Sequence, residues 1–142
     1  MLECELPIRV YIEDTDAGGI VYYVNYLKYF ERARTELIRS MGVDRTAVME
    51  DGSVFVVTSA SIDYLAPARL DDEIVARATV VDAGGASIVF EQDVSRGGQI
   101  LARGTVMAAL TDGTTGRPKR MPIGLRSALK EAVNSGEVAD GR

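Results

Sequence analysis

One long segment with helical periodicity, set among runs that resemble strands, constrains the fold of this 142-residue chain more than any other feature. Between residues 22 and 41, apolar side chains recur every three or four positions, and Gly42 follows as a stop signal. The apolar positions are Tyr23, Tyr26, Leu27, Phe30, Ala33, Leu37 and Met41. This pattern predicts an amphipathic helix with one face packed on a sheet.

Five runs rich in β-branched and aromatic residues predict the strands of that sheet. They cover residues 7–13, 54–65, 73–81, 87–95 and 100–110, and a terminal helix is predicted over 123–133. Glycine pairs at 84–85 and 97–98 predict tight turns, and therefore an antiparallel meander of the last three strands. The order of elements favours an α+β domain in which a five-stranded antiparallel sheet wraps one long central helix.

The length fits a single domain, which we predict over residues 1–133, followed by a flexible polar tail over residues 134–142. Glu3, Glu5 and Arg9 interrupt the first ten residues, so these do not have the apolar core of a signal peptide. The sequence contains no run of about 18 to 20 apolar residues that could span a membrane. A cytoplasmic location is therefore expected.

Charge and residue counts exclude several functional classes. Lys and Arg number 16 and Asp and Glu 21, so the net charge of −5 argues against nucleic-acid binding through phosphate neutralisation. The single cysteine, Cys4, excludes disulfides within the chain and thiolate zinc sites. With no histidine, imidazole-dependent triads and HExxH metal sites are also excluded. We expect no cofactor and no bound metal.

The segment from Tyr11 to Glu36 contains the residues best suited to chemistry, because a carboxylate loop leads directly into a helix N-terminus. Unpaired N–H groups at such a terminus can stabilise an oxygen that becomes negative in a transition state. Gly18 and Gly19 leave the main chain open to close approach by a ligand. From spacing alone, however, solvated turn residues are a better explanation of Asp14 and Asp16 than a catalytic role, and a metal site built on them would be incomplete.

The run DTDAGGIVYYVNYLKYFERARTE resembles the signature of hotdog-fold acyl-CoA thioesterases of the 4-hydroxybenzoyl-CoA thioesterase family. A second block, IDYLAPARLDDEI at residues 62–74, resembles the bacterial branch of that family associated with the Tol-Pal envelope system. The resemblance implies a hotdog domain, an acyl-CoA substrate, and a homodimer or homotetramer with sites at the subunit interface. It also raises association with acyl-carrier or envelope proteins as a hypothesis.

The same resemblance assigns roles to individual residues. Asp16 falls on the catalytic aspartate, and the backbone N–H of Tyr23 on the group that polarises the thioester carbonyl. Many members of the branch have histidine where this chain has Tyr23. The resemblance also places three residues, Val57, Thr58 and Ser59, on the strand that lines the acyl pocket from the neighbouring subunit. The other predicted substrate-binding positions do not come from the resemblance: they are Gly19, chosen for its open main chain, and Arg69, chosen for its charge.

Coenzyme A carries anionic phosphates, but the turn at residues 82–86 lacks the basic residues that some relatives place there. The candidate phosphate partners are instead Arg69, Arg117, Lys119 and Arg120, each of which is equally explained as a solvated surface charge. Two functional hypotheses follow. One is an acyl-CoA thioesterase in which Asp16 acts as nucleophile or general base; the other is a weakly catalytic or non-catalytic scaffold that binds acyl groups or acyl carriers.

Overall fold

The computed structural model describes residues 3–42 and 51–139. Its elements, in chain order, are β1 (Glu3–Arg9), a 3₁₀ turn (Ile12–Asp14), α1 (Asn25–Arg39), β2 (Ser53–Tyr64), β3 (Glu73–Ala83), β4 (Ser87–Arg96), β5 (Gln99–Asp112) and α2 (Ile123–Ala139). Neither helix is long and apolar enough to cross a lipid bilayer.

The five strands form one antiparallel sheet in the order β1-β3-β4-β5-β2. The predicted meander of the last three strands is confirmed by the β3–β4 and β4–β5 pairings. Strands β1 and β2 form the two edges, and in a single chain β2 pairs only with β5. The predicted architecture of one long helix wrapped by a five-stranded sheet is confirmed.

The core lies between α1 and the sheet, where the helix packs on β1, β3 and β4. The buried apolar side chains of the helix are Tyr26, Tyr29, Phe30, Ala33, Leu37 and Ile38. Tyr23 and Leu27, which the periodicity assigns to this face, are exposed by 57% and 40%. Tyr23 precedes the first helical residue and so does not follow the helical phase, and Leu27 lies at the margin of the buried stripe.

Three predicted boundaries are corrected by the structure. Strand β1 spans Glu3–Arg9 rather than 7–13, because the chain after Val10 turns into the 3₁₀ segment, where the Asp14 carboxylate accepts the Tyr11 N–H. Helix α1 begins at Asn25, three residues later than predicted. Helix α2 continues to Ala139, past the predicted end at residue 133. The flexible tail stays a prediction, and residues 140–142 lie outside the described part of the chain.

Gly104 marks a close approach between β5 and β2. A Cβ added there would collide with the carbonyl oxygen of Ser61 and lie 3.1 Å from the Cα of Ile62. We expect Gly104→Ala to lower the free energy of unfolding by about 1 to 3 kcal/mol, the usual cost of overpacking, as measured by urea denaturation. Gly124→Ala in α2 is the matched control: the added Cβ meets nothing within 4 Å. We expect it to be neutral or to stabilise by at most about 1 kcal/mol. Equal stability of the two variants would contradict the close approach.

Candidate active site

A tight hairpin over residues 15–21 presents Asp16. The Asp16 N–H donates to the Ile20 carbonyl at 3.0 Å, the Gly19 N–H donates to the Asp16 carbonyl at 3.0 Å, and Thr15 bridges to Val21. Gly19 has φ +76°, a left-handed conformation that closes short hairpin loops and favours glycine. The hairpin therefore holds Asp16 at an exposed tip with little freedom of the main chain.

The carboxylate of Asp16 is exposed and only partly engaged. Its Oδ1 accepts the Gly18 N–H at 2.9 Å, which orients the side chain over the turn. Within the described residues, Oδ2 accepts no hydrogen bond. One carboxylate oxygen is thus oriented by the turn and the other is available to a ligand, as either a nucleophile or a general base requires.

The start of α1 lies directly beside this hairpin. The Tyr22 N–H and the Asn25 Nδ2 both donate to the Asp14 carbonyl, at 3.0 and 2.8 Å, which ties the first helical residue to the 3₁₀ turn that leads to Asp16. The N–H groups of residues 25–27 close short turns onto the carbonyls of residues 22–24. The N–H groups of Tyr23 and Val24 have no acceptor in the described part of the chain, so they are the unpaired donors of this terminus.

Asp14 has a different environment from Asp16. Its Oδ2 accepts the Tyr11 N–H at 2.9 Å. Burial, followed by the charge of Asp14, raises the pKa of Tyr29, because the Asp14 carboxylate lies near this buried side chain. For Asp14, the interpretation as a turn-forming residue is therefore favoured by these contacts.

A corner over residues 66–72, between β2 and β3, packs against the hairpin and α1. The Val21 N–H donates to the Ala68 carbonyl at 2.8 Å, and the Leu70 N–H donates to the Gly19 carbonyl at 3.0 Å. Ile20 and Arg69 form an isolated antiparallel bridge. Four predicted site residues, Asp16, Gly19, Tyr23 and Arg69, thus lie on segments that hydrogen-bond to one another or directly adjoin.

An aromatic groove of about 350 Å³ adjoins this junction. The Tyr23 ring meets Tyr64 edge to face at 5.9 Å between centroids, and Tyr64 meets Tyr26 at 5.5 Å. The lining residues are Ile20, Val21, Tyr23, Tyr26, Tyr64, Leu65, Ala66 and Pro67. The helical periodicity predicts Tyr26 as a core residue and gives no role to Tyr64 or Pro67. Tyr64 and Pro67 lie in the block 62–74 that carries the resemblance, and that block is the only signal in the sequence for this side of the groove.

Val57, Thr58 and Ser59 lie away from the hairpin, on the edge strand β2. All three are exposed, and a bulge between Val57 and Ser59 interrupts their pairing with β5. Val57 lines a separate cavity of about 90 Å³ between α1 and β2, which shares no lining residue with the aromatic groove. Within one chain, these three residues and Asp16 are therefore not brought together in a cavity.

The candidate phosphate partners fall at opposite ends of the sheet. Arg69 follows the Tyr64 end of β2. The other three, Arg117, Lys119 and Arg120, adjoin the Ser53 end, where the main-chain N–H of Lys119 donates to the Leu110 carbonyl. A strand of 12 residues separates the ends by about 36 Å. The Lys119 ammonium is paired with Asp51 at 2.9 Å, and a Cβ at Gly85 would lie 3.9 Å from the Arg120 Nε. Arg120 thus lies at the turn that lacks basic residues of its own.

Among residues 3–42 and 51–139, no three Asp, Glu or Cys side chains cluster as metal ligands would. That the protein uses no metal and no cofactor stays a prediction.

A family profile and two relatives, all of the thioesterase kind, resemble this chain. A profile of the thioesterase superfamily matches residues 18–102, more than half of the chain, beginning two residues after Asp16. The acyl-CoA thioesterase YbgC of Haemophilus influenzae is 41% identical over 124 residues, covering 87% of this chain and 91% of that protein. The acyl-CoA thioester hydrolase YbgC of Escherichia coli is 36% identical over 126 residues, with 88% and 94% covered.

The fold agrees with this assignment. The crystal structure of a probable thioesterase from Bartonella henselae superposes with a TM-score of 0.80 at 31% identity, covering 84% of this chain and 99% of that one. The family, and with it the hotdog architecture expected from the resemblance, is confirmed. The chain therefore belongs to the thioesterase superfamily, and it is a thioester hydrolase.

Proposed function

We propose that the protein hydrolyses acyl-CoA thioesters at the junction between the hairpin and α1. One observation carries this proposal: a carboxylate oxygen of Asp16 and the N–H of Tyr23 are both without partners in the described residues, on neighbouring parts of one hairpin ladder. Ile20, which pairs with Asp16 across the hairpin, is three residues before Tyr23, so at most about 10 Å of backbone lies between Ile20 and Tyr23. The printed names of the two YbgC relatives support acyl-CoA as the substrate class.

In this proposal, the thioester carbonyl oxygen accepts a hydrogen bond from the Tyr23 N–H, which stabilises the negative charge of the tetrahedral intermediate. Asp16 then acts in one of two ways. Its Oδ2 attacks the carbonyl carbon, expelling the CoA thiolate and leaving a mixed anhydride that water hydrolyses. Alternatively, Oδ2 takes a proton from a water molecule that attacks the carbonyl directly. A single turnover in ¹⁸O-labelled water places label in the Asp16 side chain if water hydrolyses the anhydride at the Asp16 carboxyl carbon, whereas the general-base route never labels Asp16.

Release of free thiol from a panel of short aliphatic, long aliphatic and aromatic acyl-CoAs tests the proposed function. The alternative, a binding scaffold, predicts saturable binding of acyl-CoA without thiol release. Cys4 contributes one protein thiol, whose pKa is raised by burial and then by the charges of Glu36 and Glu5. A Cys4→Ser variant lacks this thiol and therefore shows how much the protein itself contributes to the thiol assay.

The cytoplasmic location and the association with acyl-carrier or envelope proteins stay predictions.

The proposed site needs a second copy of the chain. β2 is an edge strand, and its residues 56–61 are exposed, with Val56 and Val57 exposed by 40% and 51%. An unpaired edge with exposed apolar side chains favours association with another strand. We propose that two β2 strands pair across a two-fold axis, so that Val57, Thr58 and Ser59 of each copy face the site of the other. A homotetramer would be built from two such dimers.

This pairing also brings the separated cations together. A two-fold axis perpendicular to the sheet makes the strands antiparallel, which sets the Ser53 end of one β2 beside the Tyr64 end of the other. Arg117 and Arg120 of the second copy then approach the corner that contains Arg69. Neither Arg117 nor Arg120 forms an ion pair among the described residues, whereas Lys119 is engaged by Asp51. We propose that these two arginines contact the CoA phosphates across the interface.

We expect Arg117→Ala/Arg120→Ala to raise KM for the best acyl-CoA roughly 100-fold, because each charge-assisted hydrogen bond to a phosphate contributes about 1.5 kcal/mol, or about tenfold in affinity, and the variant removes two. KM for the matching acyl-pantetheine, which has no phosphate, is expected to stay unchanged. Steady-state kinetics on both substrates measures the difference. Arg103→Ala removes an exposed arginine near the start of β5, opposite Asp63, and is the matched control.

Mixing experiments show whether the arginines of a site come from the second copy or from the chain that provides its Asp16. A heterodimer of an Asp16→Asn chain and an Arg117→Ala/Arg120→Ala chain has one complete site only if the arginines act across the interface. We therefore expect the mixture to recover activity with the KM of the wild type. If the mixture stays as impaired as its two parents, or if the KM for acyl-pantetheine rises equally, the phosphate assignment is wrong.

A further inference from the structure

The corner over residues 66–72 supports the proposed catalytic groups from behind. Besides the Val21 and Leu70 hydrogen bonds, the Ala68 N–H donates to the Tyr26 hydroxyl at 3.0 Å, which ties the corner to the first turn of α1. The hairpin that carries Asp16 and the terminus that carries the Tyr23 N–H are thus anchored to the same short segment. Any shift of the corner moves both groups.

The corner is in turn fixed to the sheet through one carboxylate. Asp72 Oδ2 accepts the Arg69 N–H at 2.8 Å and the Arg96 Nη1 at 2.6 Å. The same Arg96 nitrogen lies 3.3 Å from the Pro67 carbonyl. One guanidinium from the end of β4 therefore contacts both ends of the corner. Only 32% of the Arg96 side chain and 23% of the Asp72 side chain are exposed, so solvent screens the pair less than an ordinary surface ion pair.

The backbone around this ion pair is also constrained. Asp71 has φ +70°, the only positive φ of a non-glycine residue in the described chain. Such a conformation persists only where the surroundings impose it. Hydrogen bonds join Asp71 N–H to the Val10 carbonyl and Val10 N–H to the Asp72 carbonyl, each at 2.9 Å. Burial tends to raise the pKa of Asp72, but the Arg69 N–H and Arg96 outweigh it and hold that pKa below its usual range.

We propose that Asp72 and Arg96 are positioning residues for the hydrolysis: through the corner, their ion pair sets the relative placement of Asp16 and the Tyr23 N–H. This inference rests on the proposed function. Neither side chain forms part of the hairpin or the aromatic groove. Their effect on turnover is expected to arise from geometry, since small displacements of reacting groups lower the rate strongly.

Asp72→Asn keeps an oxygen for the Arg69 N–H and removes the charge that pairs with Arg96. We expect kcat to fall roughly 10-fold with KM changed by less than about threefold, because the rate depends on small displacements of the reacting groups more steeply than the substrate contacts of the corner do. Arg96→Met is expected to match this loss of kcat. Arg96→Lys, which keeps a cation but not the planar guanidinium, is expected to recover most of the lost kcat.

Asp93→Asn is the matched control. It breaks the Arg77–Asp93 pair between β3 and β4, in which the Asp93 side chain is only 10% exposed, and neither residue contacts the corner. We expect Asp93→Asn to lower stability at least as much as Asp72→Asn and to leave kcat within about twofold of the wild type. If the two variants lose kcat in proportion to their loss of stability, or if Arg96→Lys does not exceed Arg96→Met, the positioning role is wrong.

Amide hydrogen exchange tests the same inference without turnover. We expect the N–H groups of Val21 and Leu70 to exchange roughly 10-fold faster in Asp72→Asn, with other sheet amides changed less. In Asp93→Asn, the exchange rates of these two amides are expected to change no more than those of the sheet amides. If no acyl-CoA is hydrolysed by the wild type, the proposed function fails, whereas the exchange result still decides whether Asp72 holds the hairpin. Unchanged exchange at Val21 and Leu70 would overturn the inference.

Discussion

Asp16→Asn is expected to lower kcat for the best acyl-CoA by roughly 10²- to 10⁴-fold while preserving the fold and the oligomeric state. Asn is nearly isosteric with Asp, and its side-chain oxygen can accept the Gly18 N–H that now binds Oδ1 at 2.9 Å. The hairpin conformation is therefore expected to persist. The amide can neither attack a carbonyl efficiently nor take a proton from water. Steady-state thiol release measures the loss, and circular dichroism and light scattering check fold and assembly.

Asp14→Asn is the matched control within the same triplet. Asp14 acts on the fold through its carbonyl, which the substitution leaves in place, and through Oδ2, which an amide oxygen can replace as acceptor of the Tyr11 N–H. We expect turnover within a few-fold of the wild type. A fully active Asp16→Asn beside an inactive Asp14→Asn would reverse the assignment. Full activity of both variants would place the chemistry elsewhere in the molecule.

Elements dominated by local periodicity could be predicted from the sequence. The strands at 73–81, 87–95 and 100–110 match β3, β4 and β5 to within about two residues, since apolar alternation and glycine turns are local signals. The start of α1 was misplaced because Tyr22 and Tyr23 continue the aromatic pattern of the helix. In the structure these two residues form a turn instead, held by the bond of Tyr22 N–H to the Asp14 carbonyl.

The same distinction between local signals and long-range contacts applies to the candidate site. A carboxylate loop with two glycines before a helix is a local pattern, and it indicated the loop and the unpaired donors of the helix N-terminus, although not the hairpin pairing of residues 15–21. The wall formed by Tyr64 and Pro67, and the support given by Asp72 and Arg96, depend on contacts between segments more than 20 residues apart. Spacing within one sequence contains no signal for such contacts. Only the resemblance of block 62–74 indicated that this segment mattered.

Val57→Lys is expected to dissociate the protein to monomers and to lower kcat/KM by roughly 100-fold, the scale of losing the alignment of groups in a site. Val57 is 51% exposed on the edge strand, so a single chain accommodates the longer side chain without a buried charge. In the proposed dimer, with the two-fold axis near the middle of β2, the two lysines would approach each other, and like charges on paired strands are destabilising. Light scattering at micromolar concentration and thiol release on the same samples measure the two effects.

Ile123→Lys is the matched control, because Ile123 is an apolar residue 82% exposed at the start of α2, the helix that packs on β3. We expect it to keep the wild-type mass, which would show that an added surface lysine does not by itself dissociate the protein. The rescue is more decisive: Val57→Glu alone is also expected to be monomeric, but mixing it with Val57→Lys replaces repulsion with an ion pair across the axis. The mixture should recover dimers and most of the activity. A fully active Val57→Lys monomer would show that one chain completes the site, whereas an intact Val57→Lys dimer would place the interface on another surface.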